Sequence, residues 1–488
     1  MMSLSGRLLT AAAALLALSA CSGSGAPTAS GTPGVTAASP APAPTSTTAT
    51  TGPCTLRERQ DWVLAQLRDW YLFPETLPTN LDPTPFTSVQ AYIDALTATA
   101  RAQGRDRNFT FITSIAGENA FFNSGSSAGF GVRLAFDAQQ RLFIAEAFEG
   151  APALAAGIDR GAEIVAIGTT ANNLVTVASL LASGGSNAVN EALGPSTAGT
   201  TRVLRITDAG GTRNISVTKA DFALTPVSSR YGARVLTDSG QRVGYLNLRT
   251  FISTADPALR AAFADFQAQG ITRVIFDLRY NGGGLVSTAE LIGDLLGGAR
   301  TTSQVFSFTT FRPERSSNNS TRNFAPQPQS IAPMQIAFIG TSGTASASEL
   351  VINAMIPYFR ANVALIGSNT DGKPVGQIAL DRAACDDRLR VVAFATLNAE
   401  RRGDYFNGLA GVVEASCAAP DDLTRPLGDP AEGSVRAALD FLAGRACAPV
   451  TASGSTAPQS TTASLRAPNQ LLVPADPDAM QRQVPGAY

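Results

Sequence analysis

Between Gln241 and Ile366 the chain alternates short apolar runs with amphipathic stretches, and that alternation restricts its fold more than any other feature of its 488 residues. Strands are expected at Val243–Leu248, Val274–Leu278, Gln335–Ile339 and Val363–Ile366, with helices at Pro257–Gln269, Ser287–Leu296 and Ser348–Ile356 between them. Buried strands joined by helices form an α/β sheet. Sites in such sheets lie at the carboxyl ends of the strands, so the loops that follow them are where chemistry is sought.

Two of those loops are chemically loaded. Asp277-Leu278-Arg279-Tyr280-Asn281-Gly282-Gly283-Gly284 follows a buried strand. Glycines there let backbone N–H groups approach a ligand or a developing oxyanion, although a bare turn fits this segment equally well. A phosphate loop would need a Lys-Ser/Thr ending, which is missing. The second loop is Gly340-Thr341-Ser342-Gly343-Thr344-Ala345-Ser346-Ala347-Ser348-Glu349. A serine at the start of a helix sits where the dipole and free N–H groups stabilise negative charge. Capping accounts for Ser346 or Ser348, with Glu349 favouring the first turn, but not for the small residues on both sides.

Composition narrows what can activate such a serine. The chain has no histidine, which excludes a Ser-His-Asp triad, a His-based metal site and a His proton shuttle. Lysine occurs only at Lys219 and Lys373, and the other basic residues are Arg. Arg cannot give up its proton, whereas a buried Lys can. Lys373 lies just past the strand that follows the Ser346 helix, and a βα unit returns the chain to the same sheet end. A desolvated Lys is then the remaining natural base for a Ser. Lys219, at the end of a strand with no nucleophile near it in sequence, is expected to tolerate replacement by Arg. No metal or other cofactor is called for, and a net charge of -1 gives no reason to expect nucleic acid.

The first twenty residues read as a secretory signal: Arg7, an apolar stretch from Leu8 to Leu18, then Ser19-Ala20-Cys21. The Leu-Ser-Ala-Cys ending resembles the bacterial lipobox, which makes Cys21 the lipidated residue and a lipid anchor the membrane contact. Ser22 after it favours the outer membrane, facing the periplasm or the cell surface. Residues 21–53 are a Ser/Gly/Ala/Pro/Thr linker and 448–488 a low-complexity tail. Four cysteines remain, Cys54, Cys385, Cys417 and Cys447, an even number in an exported chain. Of three pairings, Cys385 with Cys417 and Cys54 with Cys447 is the expected one.

Residues 54–126 carry helical spacings through Trp62, Leu67 and Trp70 and again from Val89 to Ala100, the pattern of a small helical unit. Residues 127–222 are β-rich. There, Gly129-Phe130-Gly131-Val132 before a strand and the later Ala-Gly-Ile-Asp-Arg-Gly-Ala-Glu-Ile run resemble a PDZ domain. Such domains add a peptide as a strand and hold its free carboxylate on loop N–H groups.

Taken together, these motifs resemble the C-terminal processing peptidases across about residues 54–447. The resemblance implies a crotonase-like α/β core over 223–447, an inserted PDZ-like domain and a helical start. It implies Ser346 as nucleophile, Lys373 as general base, Gln377 orienting that lysine, and an oxyanion hole from the N–H groups of Gly283 and Ala347. It also implies an acyl-enzyme route and protein or peptide substrates recognised by a free C-terminus in the cell envelope. A catalytically silent envelope lipoprotein that binds peptides through the PDZ-like domain is the alternative. The polar segment Ala299 to Pro333 is long for the fold and reads as a lid or a surface loop.

Overall fold

The computed structural model describes residues 54–451 and 469–488. The signal segment, Cys21 and the linker to residue 53 lie outside the described residues. The central sheet has six strands in the order Ala233–Asp238, Gln241–Asn247, Arg273–Asp277, Gln335–Gly340, Val363–Gly367, Ala415–Ala418. The first pair is antiparallel and every later neighbour is parallel. Its strands alternate between two apolar layers, as a pleated strand covered on both faces must. Val274, Phe276, Ile336 and Phe338 face the helices Asp256–Ala268, Val286–Leu296 and Ala347–Phe359. Ile275, Ala337 and Ile339 face the helix Gly433–Leu442.

A second sheet is built on the long strand Asp387–Leu397, which pairs with Phe111–Ser114, Val305–Phe311 and Val375–Arg382. The segment Ala299 to Pro333 is thus no lid: Val305–Phe311 and Ser320–Asn323 form a hairpin on this sheet. Phe306 and Phe324 anchor it edge to face in the core. The amino-terminal helix Leu56–Trp70 starts on a reciprocal Thr55/Glu58 cap. Its Val63 and Leu67 pack with Val375, Leu389, Val391 and Val392 of the second sheet, so the helical start shares its core with the rest of the fold.

The β-rich module has strands Val132–Phe136, Leu142–Ala147, Glu163–Gly168, Thr201–Asp208 and Gly211–Thr218, covered by the kinked helix Val177–Leu193. Buried ion pairs fasten it to the core. Arg249 reaches Glu146 and Glu149 at 2.6 and 2.7 Å, and Arg160 reaches Asp421 at 2.9 Å. Arg279 closes the group with Asp277, Asp421 and Glu432.

The expected disulfides are corrected. Cys54 pairs with Cys385 and Cys417 with Cys447, at Cα separations of 5.5 and 5.4 Å. Cys385 sits in the turn after Val375–Arg382 of the second sheet, against which the Leu56–Trp70 helix packs, while Cys417 lies on the last strand of the central sheet. Two cysteines close in sequence belong to different sheets. Residues 469–488 also depart from the reading as a bare tail: Gln470–Leu471 pairs with the Val132–Phe136 edge and Ala479–Gln483 is helical.

Candidate active site

Ser346 is the last residue before the helix Ala347–Phe359, with φ 56° and ψ -114°. An L-residue enters that region only when its surroundings compel it. Here the compulsion is visible. The Ser346 N–H donates to Glu349 Oε2 at 3.0 Å, the Ala345 N–H to the Asn281 carbonyl at 3.0 Å, and the Thr344 hydroxyl to the Leu278 carbonyl at 2.8 Å. The serine loop is therefore laced to the glycine loop beside it.

Asn281 organises the glycine loop: its Nδ2 donates to the Leu248 carbonyl at 2.8 Å, and its Oδ1 accepts the Gly283 N–H at 2.9 Å. Gly283 presses on the Ser346 loop, since a Cβ there would stand 2.8 Å from Ser346 Cβ and 3.0 Å from the Ala347 nitrogen. The two residues expected to form the oxyanion hole are thus brought together, but the Gly283 N–H is engaged by the Asn281 side chain. The amide of this loop that donates across the cleft is that of Gly282, to the Gln483 carbonyl at 2.9 Å.

Lys373 lies between the strands Val363–Gly367 and Val375–Arg382. Its Nζ donates to Gln377 Oε1 at 2.7 Å and stands 5.0 Å from the centre of the Phe109 ring. A register shift between Gly376 and Gln377 interrupts the pairing with Asp387–Leu397 where Gln377 departs from the ladder, and its Nε2 donates to the Phe109 carbonyl. Burial pushes the Lys373 ammonium down to about 8, opposed by the charges of Asp371 and Asp106. Arg107 holds the same loop through Asp371 Oδ2 at 3.2 Å and the Gly372 carbonyl at 2.9 Å.

Glu349 is the residue that sequence reasoning underrated. Its Oε2 accepts the N–H groups of both Ser346 and Lys373, at 3.0 and 2.8 Å. Its Oε1 accepts the Thr370 hydroxyl at 2.6 Å and the Gly372 N–H at 2.7 Å. Burial first, and then the charge of Asp371, raise its carboxyl to about 7, with those donors working against the rise. Helix-capping statistics explain a Glu at this position; they do not explain why it is the one charged residue of Ala347–Phe359, and that isolation was the available signal.

A cleft of about 500 Å³ opens at Lys373 and at Ala345, the residue before Ser346, lined by Lys373, Phe109, Ala345 and Gly282 and by Arg482 and Pro485. Beyond it lie Gly129, Phe130, Gly131 and Val132. The N–H groups of Gly131 and Val132 donate to the Tyr488 carbonyl oxygen at 2.8 and 3.2 Å. Lys219 is buried nearby, its Nζ donating to the carbonyls of Gly194 and Pro195 at 2.8 and 2.9 Å and lying 4.7 Å from the centre of the Phe130 ring.

Among the described residues no three His, Cys, Asp or Glu side chains cluster as a metal site would require, and no helix is long and apolar enough to cross a membrane. Residues 242–403 match peptidase family S41, and residues 58–111 match the peptidase S41 N-terminal domain. A chloroplastic C-terminal processing peptidase of Tetradesmus obliquus is 26% identical over 275 residues, 53% of this chain and 54% of that protein. A carboxyl-terminal-processing protease of a Picosynechococcus strain is 27% identical over 252 residues, 51% of this chain and 55% of that protein. The chain spans about half the length of these relatives. The crystal structure of a protein described as an S41 protease from Bacteroides fragilis superposes with a TM-score of 0.61 at 25% identity, covering 78% of this chain and 97% of that one.

Proposed function

Starting from a chain that belongs to peptidase family S41, we propose a serine endopeptidase that cuts exported or envelope proteins near their C-termini, with Ser346 as nucleophile and Lys373 as general base. The observation that carries this reading is the Glu349 carboxylate, which ties the backbones of these two residues to one oxygen. In the mechanism, neutral Lys373 takes the Ser346 proton as Oγ attacks the scissile carbonyl carbon. The oxyanion is received by the Ala347 N–H at the helix start and by the glycine loop, through Gly283 once its bond to Asn281 gives way. The C–N bond then breaks, and Lys373 returns the proton to the leaving amine. Water attacks the acyl ester with Lys373 again accepting a proton, which frees Ser346. Gln377 keeps the amine aimed, and Arg107 holds its loop.

The two disulfides favour an oxidising compartment, in keeping with export and an anchor at Cys21. A free C-terminus is taken by the Gly129–Val132 loop, whose N–H groups suit a carboxylate. A serine-directed active-site probe tests the enzymatic reading: Ser346 should be labelled in the native chain and not in Lys373→Arg. An unlabelled native chain that still binds peptides would replace the peptidase by a silent binding protein.

A further inference from the structure

The edge strand Val132–Phe136 is covered in two pieces by one segment. Gln470 and Leu471 pair with Phe136 and Ala135, and the Leu472 N–H donates to the Leu134 carbonyl at 3.0 Å. The chain then leaves the edge and crosses the cleft. There the Gln483 carbonyl accepts the Gly282 N–H, and the Pro485 carbonyl accepts Arg133 at 2.6 Å. It returns to the same edge at Gly486, whose carbonyl accepts the Leu134 N–H at 2.8 Å, and Tyr488 exchanges backbone hydrogen bonds with Val132. The Tyr488 ring is buried in the cluster that holds Phe130, Val189 and Leu193, and its hydroxyl donates to Asn190.

We infer that residues 469–488 are an internal ligand of the peptidase, occupying one continuous peptide track from the cleft at Lys373 and the loop before Ser346 to the Gly129–Val132 loop. A substrate must displace them. The peptides best able to do so are extended segments that place an aromatic residue, with a hydroxyl for Asn190, where Tyr488 sits. Added strands of this kind draw affinity from main-chain bonds and selectivity from the side-chain pocket. Tethering gives the segment a high local concentration, so that modest intrinsic affinity suffices to hold it. Gly282 fits the same account: a Cβ there would meet Arg482 O at 2.8 Å, Gln483 O at 3.0 Å and Pro485 Cδ at 3.1 Å, all of them in the internal ligand.

The inference rests on the peptidase reading for the purpose of the track, but its occupancy can be tested without catalysis. A fluorescent synthetic peptide with the sequence of residues 469–488 is titrated into the full chain carrying Ser346→Ala, with and without Tyr488→Ala. Truncating the tyrosine weakens the resident segment, so the apparent Kd of the peptide should fall at least about ten-fold. A peptide with Ala in place of its own tyrosine should lose that gain. Equal affinity of the peptide for both chains would overturn the inference. So would a Tyr488→Ala chain that no longer folds, since a displaceable ligand is not needed for the fold. Hydrogen exchange of full-length Gly282→Ala is a second measure: the amides of Gly131 and Val132 should exchange faster together with residues 479–488, and unchanged exchange would count against release. Failure of Ser346 to take a serine probe would end the peptidase reading and leave these binding results standing.

Discussion

Ser346 and Lys373 are joined through one oxygen atom, Glu349 Oε2, which accepts the backbone N–H of each. Ser346 stands on a strand-to-helix loop and Lys373 on a strand-to-strand loop, and the two would otherwise drift independently; if they act as the proposed pair, misplacements of about 1 Å would matter.

Replacing that carboxylate tests its role. Glu349→Gln keeps the shape but can accept at one oxygen only, which leaves buried N–H groups unpaired at about 1–3 kcal/mol. The chain should lose about ten- to a hundred-fold in kcat with a smaller change in KM, measured on an unstructured peptide substrate. Glu349→Asp, which keeps two acceptor oxygens, should recover part of the loss; a purely structural role would lower the melting temperature and leave kcat in place.

Lys373→Arg should be as inactive as Ser346→Ala while unfolding at nearly the native temperature, because Arg keeps the charge and cannot accept a proton. On the proposed mechanism the working form in the native chain is the neutral amine. With burial holding this lysine at about 8, kcat/KM should rise with pH through that value and level off above it. A profile that is flat between pH 6 and 9 would remove Lys373 as the base.

Gln377→Ala should free the lysine to swing without changing its chemistry. The expected outcome is a loss of roughly ten-fold in kcat, with Gln377→Glu instead moving the rise of the pH profile to higher pH, because a carboxylate beside the ammonium stabilises the protonated form. Steady-state kinetics against pH would separate the two.

Non-reducing peptide mapping should find Cys54 with Cys385 and Cys417 with Cys447. The first closes a loop of 331 residues and the second one of 30. On chain-entropy grounds Cys54→Ser should cost more than Cys417→Ser, about 6 against about 4 kcal/mol. Equal losses in denaturant unfolding would mean that the long loop is already restrained in the unfolded chain.

Lys219→Arg should not be neutral, although its position in sequence suggested that it would be. The ammonium is buried against two carbonyls at the end of the helix Val177–Leu193, and burial lowers it to about 8. A larger guanidinium there overpacks the site, at about 1–3 kcal/mol. Thermal unfolding should report the cost, with kcat unaffected.

The contrast between Lys219 and Lys373 says what sequence could reveal. Strand and helix positions of the core were legible because apolar alternation is local, and Val274, Phe276 and Ile275 divide between the two faces as their spacing requires. The loop that carries Ser346 was legible because it follows a strand of that sheet and opens a helix, whereas Gln377 stands inside a strand of the second sheet and had no such local mark. Contacts between distant segments were not. Nothing near Phe109 or Arg107 announces that a helical start supplies the walls and brace of the lysine loop, and nothing near Cys54 points to Cys385 rather than Cys447. The segment 469–488 was misjudged for the same reason: its apolar residues, Leu472, Met480, Val484 and Tyr488 among them, are too scattered to show a local period, and they are buried against partners such as an edge strand some 340 positions earlier.

The ion pairs of Arg249 and Arg160 bear on kinetics as well as on the fold. A swing of the β-rich module away from the core would have to break several of these pairs at once. With that motion denied, access to Ser346 becomes a matter of exchange at a fixed groove. The departure rate of residues 469–488 would then be an upper bound on turnover, however fast the chemistry beneath them.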